Sequence, residues 1–497
     1  MLNGTANPFA GGFGSDLVFL APDLSNSLSQ TATARSTISG SLVRLPAGDV
    51  RTTLASGFTR QMLDSETLRA GITNQVGLRR NIMNHSVSVD VPLTESESGL
   101  GRSIGEFALN GNIGFSDLSD FGKLMEYGAG LRWSPHKDLS FQASIIGDEN
   151  APGIGQLGNP LLVTPNVAIY DFTRNESLFV SVITGGNQAL VGEKRRDLKL
   201  GVNWSPGFIK DLGIQAEYFR NDSRNTTASF PLLTPEIEAA FPGRVIRDAS
   251  GQLVSIDQRP VNFDREQSQR VRWGFNVSGG IGPQQQGGGP MGGRPGAGGP
   301  PRSPGGGGVP GAGGRGGGGG GGPRMGGGGF GPGVQQPGRW QLALYHTYRI
   351  EEEITIRPGT PVLDLLNGSA TSGNGGAARH ELELSGGVFH KGLGFRLQGN
   401  YRSGTTVNGS ALLGSSDLRF SDLTTLSAFV FVNLDQQTKL IKSLPVLKGS
   451  RITLRVDNVL DDVLDVRDEN GLVPLGYQPG LLDPRGRVFE LSFRKRF

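Results

Sequence analysis

The sequence predicts an all-β chain that forms a transmembrane antiparallel β-barrel with long outer loops. Three observations carry this prediction: a two-residue period of apolar side chains in the last strand, strand patterns that recur between turns, and connections that alternate between short and long. No apolar run approaches the roughly 18 residues of a membrane helix. Barrel strands alternate lipid-facing and lumen-facing residues, so the low mean hydropathy of −0.24 does not oppose a barrel.

Composition excludes several classes of protein. The net charge of +3 is small for 497 residues, so no general nucleic-acid-binding character follows. The chain has no cysteine, which excludes disulfides and thiolate metal sites. Its 80 glycines are concentrated in one Gly/Pro-rich stretch but are frequent elsewhere too, as expected for many turns and few helices.

Strand patterns recur from about residue 38 onward. One hairpin occurs twice: residues 124–145 and residues 198–219 each contain a strand that ends in Trp-Ser-Pro, a short turn and a second strand. Such a repeated unit indicates a meander of neighbouring strands. We predict about 17 crossings, at residues 38–45, 50–62, 81–92, 104–114, 125–133, 139–147, 165–171, 177–183, 197–204, 212–220, 268–278, 340–350, 380–388, 393–401, 424–434, 450–458 and 487–497.

The connections between these crossings form two classes. Short turns on one rim and long loops on the other are typical of an outer-membrane barrel, whereas a soluble sandwich does not require them. The short connections include 46–49, 134–138 and 206–211, and the long ones include 63–80, 148–164, 221–267 and 459–486.

Three tryptophans lie at predicted strand ends: Trp133, Trp204 and Trp340. Amphipathic rings at the headgroup level of a membrane are one reason for this placement. Packing against a turn of a soluble sheet is the alternative. We interpret the three as interfacial aromatics.

The last strand alternates most clearly. Phe489, Leu491, Phe493 and Phe497 share one parity, which only Lys495 interrupts, and polar residues hold the other. An edge strand of a soluble sheet would show the same pattern. In residues 450–458, charged side chains such as Arg451, Arg455 and Asp457 likewise alternate with apolar ones, so we expect them to face the lumen, most of them paired within the wall.

In this arrangement the chain resembles the barrel portion of a TonB-dependent outer-membrane receptor. The residues that carry the resemblance are Leu45-Pro-Ala-Gly48, Val91-Pro-Leu93, residues 115–122 before the Trp133-Ser-Pro hairpin, Ala151-Pro152 with Gln156-Leu157 and Pro160, residues 451–458, and residues 486–497.

The resemblance implies a plug domain inside a barrel of about 22 strands. It also implies uptake of a scarce solute, such as an iron chelate, cobalamin or a saccharide, across the bacterial outer membrane with energy supplied through TonB. A final strand that ends on an aromatic residue implies an assembly signal, here Phe489, Leu491, Phe493 and Phe497, for the barrel-assembly machinery. The expected partners are outer-membrane lipid, the TonB complex through the plug, and a small-molecule ligand of unknown identity. No cofactor, metal or nucleic acid is expected.

The sequence before residue 38 is too short for a plug and lacks the pattern of a signal peptide. We therefore expect a C-terminal fragment whose strand at 38–45 is about the sixth of the barrel, with residues 15–21 as a possible remnant of the fifth. The predicted organisation is a remnant of an outer loop at 1–37, barrel strands at 38–279, an insert at 280–338, and C-terminal barrel strands at 339–497.

The Gly/Pro-rich insert cannot build a core, so we expect a disordered tether, on the periplasmic side by alternation of strand directions. An RNA-binding Arg-Gly segment is the alternative, but Phe330 is the only ring available for stacking. Its arginines are sparse: Arg294, Arg302, Arg315 and Arg324.

Two further segments bear on function. Thr234 to Phe241 has the pattern of a short helix, with proline at its first position and early acids, inside a long outer loop where it covers the mouth or acts as a lid. Residues 468–471 have the letters of a calcium loop, but Val466 and Tyr477 stand where oxygen ligands are required. The five histidines, at 85, 136, 346, 380 and 390, show no metal-ligand spacing and are expected to be solvated or lumen-facing.

Two alternatives to active transport stay open at the level of sequence. A passive porin of 16–18 strands fits the strand count. An outer-membrane enzyme of the lipase kind would require a nucleophilic serine near a histidine on neighbouring strands, and no Gly-x-Ser-x-Gly elbow is present. We expect a transporter and not an enzyme.

Overall fold

A computed structural model describes residues 23–69, 71–95, 101–171, 173–174, 176–282, 338–409, 416–483 and 485–496. The strands in these ranges are β1 (Leu24–Leu45), β2 (Gly48–Arg69), β3 (Ile72–Thr94), β4 (Glu106–Leu118), β5 (Gly122–His136), β6 (Leu139–Asn150), β7 (Leu162–Asp171), β8 (Glu176–Thr184), β9 (Glu193–Trp204), β10 (Leu212–Ala228), β11 (Val245–Arg247), β12 (Leu253–Asp257), β13 (Val261–Ile281), β14 (Gly338–Thr355), β15 (Val362–Asp364), β16 (His380–His390), β17 (Leu393–Arg402), β18 (Thr405–Val407), β19 (Leu418–Phe420), β20 (Leu423–Asn433), β21 (Ser450–Asp457), β22 (Val466–Arg467) and β23 (Val488–Lys495).

The helices are short and lie between strands. They are α1 (Gly101–Ile104), α2 (Ile154–Gly158), α3 (Pro235–Ala240), α4 (Thr438–Ser443) and α5 (Pro479–Leu482), with single 3₁₀ turns at Leu434–Gln436, Pro445–Leu447 and Leu475–Tyr477. Within the described ranges, no helix is both long and apolar enough to cross a membrane.

One antiparallel sheet forms the wall. Its fifteen strands follow the order β1-β2-β3-β4-β5-β6-β9-β10-β13-β14-β16-β17-β20-β21-β23, and β15 pairs with β14 beside this path. Each inner strand of this order therefore pairs with the wall strand before it and the one after it. A continuous meander of this kind uses the backbone N–H and C=O groups of every inner strand in the ladder, which a lipid environment requires.

The wall has one apolar and one polar face. Antiparallel partners lie on the same face, and one row across the last strands consists of Leu491, Leu454, Val430, Phe395 and Val388. All five are exposed, Leu491 by 75%. Large apolar side chains that are exposed in regular rows are the lipid-facing surface of a barrel, so the predicted fold class is confirmed.

Most connections also alternate between short and long. The exceptions include the short links 70–71 and 119–121 at the rim of the long loops and the long link 434–449 at the rim of the short turns. At one rim, hereafter the short-turn rim, β1 and β2 are joined by residues 46–47, β5 and β6 by 137–138, and β16 and β17 by 391–392. At the opposite rim the wall strands are joined by connections that carry most of the additional strands and helices: 151–192, 229–260, 356–379, 403–422 and 458–487.

Two predicted crossings are not part of the wall. Residues 165–171 and 177–183 fall in β7 and β8, which belong to a separate four-stranded sheet in the order β11-β12-β8-β7. Leu178, Val180 and Val182 of β8 alternate as in a wall strand, but they are buried in a core built by the loops instead of facing lipid. Periodicity alone cannot distinguish these two environments.

The predicted loop at 63–80 is wrong, because β2 and β3 continue through it and pair from Arg69–Ile72 to Arg51–Asp90. The first wall strand likewise begins at Leu24 instead of residue 38. These extensions are rich in polar and Ser/Thr residues, so they lack the apolar alternation that identifies a lipid-facing strand, while their backbones still pair. The possible strand remnant at residues 15–21 lies outside the described residues.

The Gly/Pro-rich insert leaves and re-enters the wall at the short-turn rim. Ile281 at the end of β13 pairs with Gly338 at the start of β14, which agrees with the rim expected from strand alternation. Residues 283–337 lie outside the described residues, so the predicted disordered tether stays a prediction.

The two faces of β14 provide a test of the lipid-facing assignment. Leu344 faces outward, and its neighbour Ala343 faces the lumen in the row of Asn276 and Ser385. We expect Leu344→Arg to lower the free energy of unfolding by about 2–4 kcal/mol, since it places a charge in lipid. The control, Ala343→Arg, should change it by about 1 kcal/mol or less. Denaturant titration of the protein in lipid vesicles measures both, and equal effects would contradict the assignment.

Candidate functional site

The long connections pack together into a structure that we call the loop cap, which comprises the described residues of 151–192, 229–260, 356–379, 403–422 and 458–487. Its first core contains fifteen buried apolar residues from β8, α3, β12, the strand ends and the intervening loops, with Ile237 and Ile256 fully buried. The predicted short helix after Thr234 is confirmed as α3, with Pro235 in its first turn. Thr234 itself is buried, but its side chain makes no capping hydrogen bond. The cap is therefore a small packed unit at the mouth of the wall.

An ion triad fixes α3 in the cap. The guanidinium of Arg247 donates to both carboxylate oxygens of Asp171, over 2.6 and 3.0 Å, and to both oxygens of Glu238, over 2.8 Å each. The Asp171 side chain is only 1% exposed. Hydrogen bonds to Glu238 and Asp171 raise the pKa of Arg247 above its ordinary value. The triad joins the ends of β7 and β11 to the helix.

A second core joins the two small sheets of the cap. The rings of Tyr170 in β7 and Tyr477 lie 6.4 Å apart, and Tyr477 also meets the edge of Phe420 in β19. Burial, with a smaller contribution from the charges of Asp468 and Asp171, raises the pKa of Tyr170 to about 12. The β18-β19-β22 sheet is thus tied to the β11-β12-β8-β7 sheet by aromatic packing.

Residues 468–471, which resemble part of a calcium-binding loop in sequence, form a turn. One carboxylate oxygen of Asp468 accepts hydrogen bonds from the backbone N–H groups of Asn470 and Leu472, over 2.9 and 2.8 Å. This is the local side-chain to backbone bonding typical of aspartate in turns. Across the residues that the structure describes, no group of three or more His, Asp or Glu side chains is arranged to hold a metal ion.

The polar face of the wall lines the lumen below the cap, and several of its charges pair across strands. The guanidinium of Arg272 pairs with Glu383, and it also lies over the Tyr345 ring, 4.5 Å from the ring centroid. Sequence parity predicts lumenal charges in residues 450–458, and the same parity in β9, β10, β13, β14 and β16 would have located these pairs too. The cross-strand pairs are Lys199–Glu217 at 2.8 Å, Arg272–Glu383 at 2.8 Å and Arg349–Glu381 at 2.9 Å.

The three predicted interfacial tryptophans share the outward face near the short-turn rim. Trp133 pairs in register with Phe141 and donates its indole N–H to the carbonyl of Ile104 over 2.8 Å. Trp204 and Trp340 are about two-fifths exposed. A fourth, Trp273, faces outward nearer the middle of its strand and was missed, although its parity within β13 indicates this face. The interfacial role of the three remains a prediction.

The predicted assembly signal lies on the outward face of β23. Phe489, Leu491 and Phe493 are more than half exposed and pair in register with Val456, Leu454 and Ile452. Phe497 lies outside the described residues. The geometry brings the first three together as one apolar row, and their role in assembly remains a prediction.

Two histidines that the sequence separates by 34 positions meet on the wall. His346 Nε2 and His380 Nδ1 are 3.1 Å apart, and the rings stack with an interplanar angle of 3°. They face outward beside Trp273 and Tyr348, whereas the histidines in general are expected to be solvated or lumen-facing. Sequence reasoning missed the pair because it depends on the register between β14 and β16.

One contact has the form that a hydrolase would require. Ser56 Oγ lies 3.1 Å from His85 Nδ1 on the neighbouring strand. Within the described ranges, no acidic or amide side chain bonds to this histidine to orient it. Both neighbours of β2 pair with its backbone, so its N–H groups are engaged in ladders and do not form an oxyanion hole.

The ion triad of the cap generates a stability prediction. Arg247→Ala leaves Asp171 as an unpaired buried carboxylate, which should cost the cap about 3–5 kcal/mol. Hydrogen exchange of the amides of α3 and β12, measured by mass spectrometry, should accelerate accordingly. Arg467→Ala is the control, because its ion pair with Asp465 is exposed and should be worth about 0–1 kcal/mol. Unchanged protection of α3 in Arg247→Ala would contradict a stabilising triad.

No protein-family model and no curated protein matches the sequence. Among solved structures, a mutant of the ferric enterobactin receptor PfeA of Pseudomonas aeruginosa, in complex with enterobactin, matches with a TM-score of 0.52 and 14% identity over 94% of this chain and 54% of that chain. A second PfeA mutant matches with a TM-score of 0.51, 14% identity and the same coverage. The siderophore receptor PirA of the same organism is 13% identical over 94% of this chain and 57% of that chain, with a TM-score of 0.47.

The chain thus spans about half the length of the PfeA receptor chains that it matches. At 14% sequence identity, the structural similarity to the PfeA receptors shows a shared fold. The wall, its outward apolar rows and its cap of loops at one rim all accord with that fold. The resemblance that the sequence predicted is confirmed at this level: the chain has the fold of the β-barrel of a TonB-dependent outer-membrane receptor.

Proposed function

We propose that this chain is the wall and loop cap of an active transporter in the bacterial outer membrane. It takes up a scarce solute, such as an iron chelate, cobalamin or a saccharide, with energy delivered through TonB, and it has no enzymatic activity. The observation that carries the proposal is a wall with a receptor-barrel fold and outward apolar rows, whose long connections form a packed cap at one rim. A porin needs an open mouth, whereas a receptor needs ordered loops that select a ligand.

We also propose that the chain is a fragment of the complete receptor. Among the described residues, β1 and β23 each pair with only one wall strand, so the sheet has two open edges. Unpaired backbone groups at such edges are costly in lipid. Fifteen wall strands together with the coverage of 54% of the PfeA receptor chain support a barrel of about 22 strands. Additional strands and a plug would complete it.

The outward apolar residues of β23 and the three tryptophans near the short-turn rim have proposed roles in assembly and anchoring. Phe489, Leu491 and Phe493 form one apolar row on an open edge strand, which suits recognition by the barrel-assembly machinery. Trp133, Trp204 and Trp340 face lipid near the short-turn rim, where indole rings are favoured at the headgroup level. The ligand would enter through the cap and pass the lumenal charges, several of which the wall pairs across strands.

Uptake assays test the transport proposal. The complete reading frame that contains this chain is expressed in cells with and without TonB, and accumulation of radiolabelled ferric enterobactin, cobalamin and maltodextrin is measured. We expect at least one of the three to accumulate against its gradient only in cells with TonB, because diffusion through a pore cannot concentrate a solute.

A passive porin gives the opposite result in these assays. It admits small solutes equally with and without TonB and conducts ions in planar bilayers. A TonB-independent flux of that kind, together with no concentrative uptake of any of the three solutes, would overturn the proposed function. Deletion of residues 229–260 of the cap serves as a further comparison, since it should abolish uptake in a receptor but increase flux in a porin.

A further inference from the structure

Three arginines gather on the lumenal face near the short-turn rim, and we call them the rim arginine cluster: Arg396 in β17, Arg451 in β21 and Arg494 in β23. Arg451 stands directly opposite Arg494 across the last strand pair. Arg396 stands opposite Phe429 of β20. All three have the parity opposite to the apolar rows, so they point into the lumen at the end remote from the loop cap.

Aromatic packing holds Arg451 in place. Its guanidinium carbon lies 3.8 Å from the centroid of the Phe431 ring, and this ring stacks on Phe389 with centroids 5.9 Å apart. Gly394 lies directly beneath the Phe431 ring. A Cβ at this position would be 2.1 Å from two ring carbons of Phe431 and would clash with them. A glycine is thus required for the ring to lie against the strand. The Phe389–Phe431–Arg451 stack is a built feature that fixes one guanidinium by a cation–π contact.

The charges of the cluster are not neutralised by the wall. In the described part of the chain, no carboxylate forms an ion pair with Arg396, Arg451 or Arg494, and the buried Nε of Arg451 has no hydrogen-bond partner. Arg396 and Arg494 act on Arg451 as like charges. Like charges placed opposite one another destabilise a strand pair.

The nearby carboxylates are already engaged. Asp457 is bound to Arg455 over 2.9 Å, as expected for the charges of this strand. Asp435 accepts the backbone N–H of Gly449 over 2.6 Å. Pairing within the wall, which is expected for most charges of this strand, is present for Arg455 and, among the described residues, absent for Arg451. Three cross-strand pairs of β9–β16 show that this wall places an acid beside a base at other positions.

We propose that the rim arginine cluster binds a carboxylate carried by an acidic segment of protein that lies inside the lumen. This inference rests on the proposed function, in which a plug fills the barrel. A carboxylate is the chemistry that fits, because guanidinium groups bind it through paired, charge-assisted hydrogen bonds. A side chain on a domain already held in the lumen has little freedom to lose on binding, which favours it over a free solute.

Carbodiimide coupling tests the proposal directly, since it joins an amine only to a carboxylate in contact with it. Arg494→Lys and Arg451→Lys each keep the positive charge and supply an amine. The variants are made in the complete reading frame, treated in isolated outer membranes and digested, and coupled peptides are identified by mass spectrometry. We expect both variants to couple to an Asp or Glu outside the wall strands, at a yield well above that of Arg60→Lys, which faces outward and serves as control.

A second variant tests whether the aromatic stack organises the carboxylate site. In the Arg494→Lys background, Phe431→Leu removes the ring that positions Arg451 while it keeps an apolar side chain. The coupling yield should then fall about two- to five-fold, as expected from the loss of one cation–π contact. An unchanged yield would show that the stack does not organise the site.

The proposal is overturned if both lysine variants couple only to wall carboxylates such as Glu490 or Asp457, or no more than the control does. TonB-dependent uptake measured in the same cells separates this result from failure of the proposed function. Uptake without coupling refutes the cluster as a carboxylate site alone. Coupling without TonB-dependent uptake supports the cluster and refutes active transport.

Discussion

The hydrogen-bonding requirement of the backbone in lipid governs this structure. Hydrocarbon offers no partner for an N–H or C=O group, so each crossing strand must pair on both sides. The meander from β1 to β23 meets this requirement for every inner strand. The alternation of side chains follows, because a paired strand presents one face to lipid and the other to the lumen. Apolar rows such as Leu491–Leu454–Val430 and the lumenal ion pairs are thus two results of one constraint.

Charged side chains find their partners in different ways in the wall and in the cap. In the lumen, charges such as Lys199 and Glu217 pair across neighbouring strands, at positions fixed by register alone. In the cap, Asp171 and Arg247 are 76 residues apart and meet only because β7, β8 and β12 fold back beside α3. The cap therefore needs its own apolar cores, whereas the wall has lipid as its apolar surroundings. A packed unit at the rim of the wall is consistent with the proposed selection of a ligand.

Local patterns predicted what depends on neighbouring residues. The period of two in β23, the turn at 46–47 and the proline-led helix α3 could all be located from sequence, because each follows from a few adjacent side chains. The displacement of β7 and β8 into the cap could not, since their apolar residues alternate as wall residues do. The polar extensions of β2 and β3 could not be located either, because only their backbones, and no apolar side-chain pattern, mark them as strands. The contacts of Arg247 with Asp171, of His346 with His380, and the stacking of Arg451 on Phe431 over Gly394 depend on register between strands.

The pairing of Ile281 with Gly338 brings the two ends of the Gly/Pro-rich insert to adjacent positions on the rim. The length of chain between these ends is therefore uncoupled from the geometry of the wall, and each doubling of loop length costs only about 0.6 kcal/mol in closure entropy. Lineages could lengthen or shorten this stretch with little effect on folding. For the same reason it is a suitable place to graft an epitope or a reporter domain into such a protein.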